Sequence, residues 1–283
     1  PRLMFATFYQ MRRRFPDAEQ QIRDAIQADP RNPEPVAALA RLFLAQGKPD
    51  EAETFLKQSK QNFSDNSVGY RLLGDFYLGT NELDKALAEY QALYQAHSKD
   101  VQVKKTFTEI LIHMNQLQQA RVVDEEILKA NPNDNEALID RGELQIRAGE
   151  LNTAIATLQT VIKNDPNNSL AHYYLGVAFQ KMGNLEGAEG EWRAAVRLRP
   201  DLVDAQRELA IFAMRRGDTA TLEQAATQII NLRPAVADGY ALRAVAEINR
   251  KQFLAAEGDA RKSIEVAPDS SAGYVQLGNL NFV

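Results

Sequence analysis

The apolar positions of this chain fall on two alternating helical faces that return at a fixed step. In Ser169–Pro200, SLAHYYLGVAFQKMGNLEGAEGEWRAAVRLRP, packing residues stand four, seven, eight and eleven places along when the count starts at Ser169. That spacing marks one face of a 3.6-residue helix. Laid over Asn135–Pro166 with a shift of 34, Gly142 meets Gly176, Gly149 meets Gly183, Ala154 meets Ala188 and Pro166 meets Pro200. The prolines continue at the same step as Pro132, Pro166, Pro200, Pro234 and Pro268, and the phase runs back through Ser98 and Ser64 to Pro30. No stretch alternates as a strand would. A fixed period between 20 and 50 residues marks a stacked repeat, and 34 is a helix–turn–helix period.

With Asn135 as position 1, position 8 carries Ala6, Ala40, Gly74, Thr108, Gly142, Gly176, Ala210, Ala244 and Gly278. Position 20 carries alanine in every full repeat except the seventh, where Leu222 stands. Two helices cross closely only where side chains are small, so these positions are expected to form the contact of a first helix A with a second helix B. Position 24 supplies larger fillers, Ile22, Leu56, Tyr90, Leu158 and Trp192. The proline at position 32 stops helix B, and Asn133–Asp134 and Asn167–Asn168 are natural caps for the next helix A.

These residues and their period resemble the tetratricopeptide repeat family over the whole chain, without insertion or deletion between repeats. The resemblance implies an all-α, right-handed α-solenoid of about eight 34-residue repeats and one extra helix. It is read as a single array over 1–283, with repeats 1–32, 33–66, 67–100, 101–134, 135–168, 169–202, 203–236 and 237–270 and a partial ninth at 271–283. The fourth repeat is irregular: Thr108 replaces the small residue and Asp124 the filler, with Val122, Val123 and Ile127 expected to take over the packing or, alternatively, to leave a looser joint. In the seventh, Leu222 and Ala226 exchange large for small. The chain enters inside a repeat and Leu277 has no helix B after it. A segment of a longer array, or ends covered by a neighbouring chain through end-to-end association, is therefore expected.

Composition narrows the functions. A net charge of −5 gives no general attraction to nucleic acid or acidic lipid. There is no cysteine, hence no disulfide framework and no thiolate chemistry. No apolar run reaches the length of a membrane span. His97, His113 and His172 form no metal spacing, and His172, Arg141 and Arg243 are read as packing residues. The glycines follow the repeat and form no phosphate-binding loop, and no nucleophile elbow is present. No catalytic residue, cofactor site or metal site is expected.

Function is therefore sought on the surface that stacking creates. In the family, helices A line a concave groove, and by resemblance positions 2, 5, 6, 9, 12 and 13 face it. The expected partner-binding residues are Tyr173, Tyr174, Val177, Ile211, Met214, Leu242 and Val245, with Ile139, Ile248 and Val275 on the same apolar surface. Arg71, Lys105 and Asp140 are expected at a charged rim. The two-carboxylate clamp of chaperone-tail binders is broken after Lys105 by Glu109, Asp140 and Leu170, and the asparagine ladder of the glycosyltransferase-associated type is absent. The phrase LARLFLAQGKPDEAE resembles bacterial arrays of the cell envelope and of exopolysaccharide export, which implies the periplasmic side. The expectation is a non-catalytic scaffold for a partner peptide or protein. The rival readings are a regulatory or spacer array in an envelope assembly, the repeat part of an enzyme with its catalytic domain elsewhere, and carbohydrate handling near Tyr173–Tyr174.

Overall fold

The computed structural model describes residues 1–281 and is all-α, with seventeen α-helices in sequence among those residues. The A helices are α1 (Arg2–Met11), α3 (Pro33–Ala45), α5 (Ser67–Gly79), α7 (Val101–His113), α9 (Asn135–Arg147), α11 (Ser169–Lys181), α13 (Val203–Arg216), α15 (Ala237–Asn249) and α17 (Ser271–Leu280). The B helices between them are α2 (Phe15–Ala28), α4 (Pro49–Ser59), α6 (Leu83–Ala96), α8 (Leu117–Ala130), α10 (Leu151–Asn164), α12 (Leu185–Leu198), α14 (Thr219–Leu232) and α16 (Phe253–Val266). The chain divides into two units, Pro1–Asp134 and the residues from Asn135 onward. Within each, helix A packs on its own helix B, and helix B on the next helix A. Each unit is thus an α-solenoid, with no single central core. Residues 282 and 283 of the expected ninth repeat lie outside the described residues.

The repeat sets the boundaries through a few chemical devices. Asn32, Asn66, Asp100, Asn168 and Ser270 each accept hydrogen bonds from backbone N–H groups in the first turn of the following A helix, which satisfies donors the helix cannot. All eight A–B turns place position 15 in the left-handed region. Glycine supplies it at 47, 149, 183 and 217, while Arg13, Asn81, Asn115 and Lys251 adopt it with side chains. In the second repeat, serine stands where proline would stop helix B. There the helix tightens into a 3₁₀ turn at Lys60–Phe63, and Phe63 is buried beneath Gly69 of α5.

The A–B contact is more specific than two small residues meeting. The alanines at position 20 are fully buried, but the glycine at position 8 faces the filler at position 24. A Cβ on Gly74 would lie 2.6 Å from the Tyr90 ring, one on Gly142 2.7 Å from Leu158, and one on Gly176 2.5 Å from the Trp192 indole. Where position 8 is alanine, no filler exceeds leucine in size (Ile22, Leu56, Ala226 or Ala260), and the two aromatic fillers, Tyr90 and Trp192, stand only opposite glycine. Size at one site is thus balanced by size at the other. In the seventh repeat Leu222 occupies the buried volume, packed among Ala210, Ala213, Ala225 and Ala246.

The fourth repeat packs with Thr108, Val123, Asp124 and Ile127 buried, but Val122 is exposed and takes no part. The Thr108 hydroxyl donates to the Lys104 carbonyl, so its polar group is satisfied within α7. Position 4 carries another device. The Gln206 side chain donates to the Pro200 carbonyl at 3.1 Å and the Tyr240 hydroxyl to the Pro234 carbonyl at 3.2 Å. A His172 ring nitrogen lies 3.1 Å from the Pro166 carbonyl. A polar tip thus ties helix A to the end of the preceding helix B, and His172 is structural for that reason.

Candidate functional site

The described residues form a small open trough in the second unit, where α13, α15 and α17 lie side by side. Ile211, Met214, Leu242 and Val245 line it together with Arg207, Asp238, Ala241, Ala272 and Gln276, around a cavity of about 300 Å³. Its origin is local. Position 5 holds tyrosine in the sixth repeat but alanine, Ala241, in the eighth, and Ala272 of α17 adds little bulk opposite. Met214, Leu242 and Val245 are half-buried with their inner faces on the Ala210–Leu222–Ala246 cluster. Their outer faces stay open. Arg207 stands at the mouth, held by Asp204 at 3.0 Å and Asp238 at 3.1 Å.

Four of the expected binding residues are thereby brought together, and the others are placed elsewhere. Tyr173 and Tyr174 are half-buried, their rings edge-to-face with centroids 4.9 Å apart. Tyr173 packs against the Ala188–Trp192–Phe212 and Ala195–Leu202–Ala205 clusters. Tyr174 and Val177 pack against the cluster of Ile146, Leu158 and Leu175. The Tyr174 hydroxyl donates to Glu143, a carboxylate that Arg147 also holds. Burial pushes the Tyr173 hydroxyl up to about 12, and burial with the facing Glu143 carboxylate raises that of Tyr174 further. Ile139, expected on the groove surface, is buried against Val161 and Ala171, because the neighbouring A helix covers it. Val275 is exposed and Ile248 half-buried.

Among the charged residues, Arg71 and Lys105 belong to the first unit and Asp140 to the second. Arg71 donates to the Ser67 carbonyl and lies 4.0 Å from Asp75, and Lys105 pairs with Asp134 at 2.9 Å. All three are half-buried.

A polar group outside the sequence expectations departs from the repeat: Glu247 occupies position 11, where Phe43, Tyr77, Leu111 and Phe179 stand in other repeats. Arg243 grips Asp259 with two hydrogen bonds of 2.6 and 2.8 Å, which leaves Glu247 beside Asp259 in a partly desolvated setting. Burial and then the Asp259 charge raise the Glu247 carboxyl to about 7, against the pull of Arg243. A raised carboxyl binds its proton more tightly in the folded state, so stability falls as pH rises from about 4.5 to about 7 and is level above. Glu247→Gln should remove that slope and be the more stable form at pH 8, by about 1–2 kcal/mol given the group's partial exposure. Chemical unfolding of both proteins at pH 5 and pH 8 measures it; parallel pH profiles would show that Glu247 is not the source.

Among the described residues no helix is long and apolar enough to cross a membrane. Tetratricopeptide repeat models match residues 9–76 and 173–221, and a TPR repeat model matches residues 142–183. The chain belongs to the tetratricopeptide repeat family. No curated protein matches it in sequence. Among solved structures, this tetratricopeptide repeat chain is similar to a repeat protein of Parabacteroides merdae ATCC 43184, with 18% identity over 88% of this chain and 98% of that one and a TM-score of 0.62. It is also similar to a chain of the APC/C hetero-tetramer Cut9–Hcn1, with 15% identity over 99% and 55% of the two chains and a TM-score of 0.69. PilW, a widely conserved type IV pilus biogenesis factor, shows 18% identity over 72% and 95% and a TM-score of 0.59. At these identities the likeness is one of fold.

Proposed function

We propose that the chain is a protein-interaction scaffold without catalytic chemistry of its own, which holds a partner peptide or protein along its A helices. The observation that carries this reading is the trough between α13, α15 and α17. Ile211, Met214, Leu242 and Val245 converge on one cavity and keep one apolar face open to water. A merely solvated helix face would carry charge there, and contiguous exposed apolar surface marks interaction sites. The cavity admits one or two apolar side chains of an amphipathic or extended segment. The Arg207–Asp238 pair at its mouth orients that segment more than it strengthens binding. Tyr173, Tyr174 and Val177 offer their remaining open faces one repeat earlier and support the partner instead of anchoring it.

Ile211→Glu and Met214→Glu test this directly, since both side chains sit at the trough and neither is deeply buried. Each should weaken partner capture from source-cell extract by about 2 kcal/mol, roughly 30-fold, if the trough is the energetic centre. Helical content by circular dichroism should be unchanged. Arg71→Ala in the first unit should retain capture. Undiminished capture by both glutamate variants would remove the trough from the interface.

A further inference from the structure

The second unit has another and larger opening, on the side of its B helices. A cavity of about 540 Å³ lies between α12 and α14, floored by Gln206 and Leu209 of α13. Those two residues are on a different face of α13 from Arg207, Ile211 and Met214, so this cleft is separate from the trough. Gly190 and Ala194 on α12 and Ala225 on α14 open it, because large side chains at those places would close the gap between the two walls. The walls are matched. Arg193 and Arg197 stand one turn apart on α12, and Gln224 and Gln228 one turn apart on α14.

The two arginines differ in what they already do. Arg193 reaches across one end of the cleft: it pairs with Glu189 at 2.8 Å, lies 3.8 Å from Asp218, and donates to the Thr221 hydroxyl of α14 at 3.4 Å. Arg197, at the other end, is exposed and makes no ion pair among the described residues. No aspartate or glutamate lines the cavity. Its surface therefore offers one uncompensated guanidinium, two glutamine amides that both donate and accept, and an apolar lining of Val196, Leu209 and Ala225.

We infer that this cleft binds an extended acidic peptide segment, with a carboxylate on Arg197 and the peptide backbone on Gln224 and Gln228. The guanidinium fork matches a carboxylate in shape and charge, and glutamine amides match the donor and acceptor of a peptide group. From Gly190 to Arg197 the wall runs about 10 Å at 1.5 Å per residue, which an extended chain covers in about three residues. A peptide alternating small and acidic residues fits that length, its small residues on the floor and its carboxylates at the rim.

The probe is a fluorescein-labelled peptide of about ten residues alternating Glu and Ala, titrated with the whole chain in low salt and read by anisotropy. The same peptide with Gln for Glu, a Lys–Ala peptide and inorganic phosphate are run beside it. The Glu peptide should bind best and weaken as salt screens the pair. Arg197→Glu should reduce its affinity at least tenfold, and Ala194→Leu, which fills the cleft without changing charge, should do the same. Arg215→Glu, an exposed charge reversal at the end of α13, should leave affinity unchanged. Melting curves for each variant establish that it is folded, and a variant that is not is replaced by Gln228→Glu on the opposite wall. Equal binding of the Gln peptide, equal loss with Arg215→Glu, or binding of phosphate without peptide would each overturn the assignment. None of these outcomes bears on the trough, which the peptide does not need.

Discussion

Gly176→Leu should destabilise the second unit by about 3 kcal/mol or more, the upper part of the range for overpacking a filled core. Even the first added carbon would sit 2.5 Å from Nε1 and 2.6 Å from Cδ1 of Trp192, so α11 and α12 would have to move apart or the indole leave its site. The indole is fully buried and stacks edge-to-face on Phe212 of the next repeat, so displacing it disturbs two repeats. Trp192 is the only tryptophan, and its fluorescence during urea unfolding therefore reports this contact. The decisive form is a double-mutant cycle. Trp192→Leu alone recreates the Gly142–Leu158 pairing of the fifth repeat but gives up the indole's packing on Phe212, and should cost about 2 kcal/mol. Combined with Gly176→Ala it recreates the Ala40–Leu56 pairing of the second repeat, so the alanine that collides with the indole should be tolerated and the double variant should be more stable than the sum of the two single losses gives. Simple additivity of the two substitutions would show that positions 8 and 24 do not adjust to one another.

The second large effect is expected from Tyr173→Ala combined with Tyr174→Ala. Both rings bury most of their area on core clusters, and large-to-small replacement at such sites costs several kcal/mol. We expect about 3–5 kcal/mol for the pair, discounted for the exposed edges, with partial loss of cooperativity across the sixth repeat. Tyr174→Phe should cost only about 1 kcal/mol, since it removes the hydrogen bond to Glu143 but leaves that carboxylate paired with Arg147. The consequence for function is specific. Partner capture lost in the double alanine variant would report unfolding of a repeat unless circular dichroism is native. If the double variant melts like the parent, the tyrosines are surface groups, and their place beside the trough as binding residues is strengthened.

The repeat was legible because its determinants are covalent facts: proline cannot continue a helix, and glycine permits both a left-handed turn and a close crossing. Helix A therefore begins at position 1 in the second to ninth repeats, and helix B ends two residues before the proline wherever one is present. The early stop of α4 was less legible, because Ser64 forbids nothing. The pairing of position 8 with position 24 is not legible in either position taken alone, although Gly176 with Trp192 and Ala210 with Ala226 carry it. At the site, composition identifies Ile211, Met214, Leu242 and Val245 as apolar, and their helical phase brings them to one side. Whether an apolar residue is covered depends on the size of residues one repeat away, which periodicity alone does not weigh. Ile139 is covered for that reason, and Ile211 is not. Ion pairs between helices were the least legible, since Asp238, which pairs with Arg207, and Asp259, which pairs with Arg243, lie 31 and 16 residues further on and nothing in local spacing selects them.

The reciprocal sizes at positions 8 and 24 also bear on how such an array can change its length. A crossover between two copies of the gene that joins α11 to a helix B with a small residue at position 24 would set Gly176 against that small residue, and one that joins α7 to α12 would set Thr108 against an indole. The first leaves a hole and the second a collision, and both products are at a disadvantage from the start. A crossover in the proline link carries each glycine away together with its own filler. Inheritance by whole hairpins is thus tolerated and inheritance by single helices is filtered out, which preserves a strict 34-residue phase even after the remaining residues have diverged.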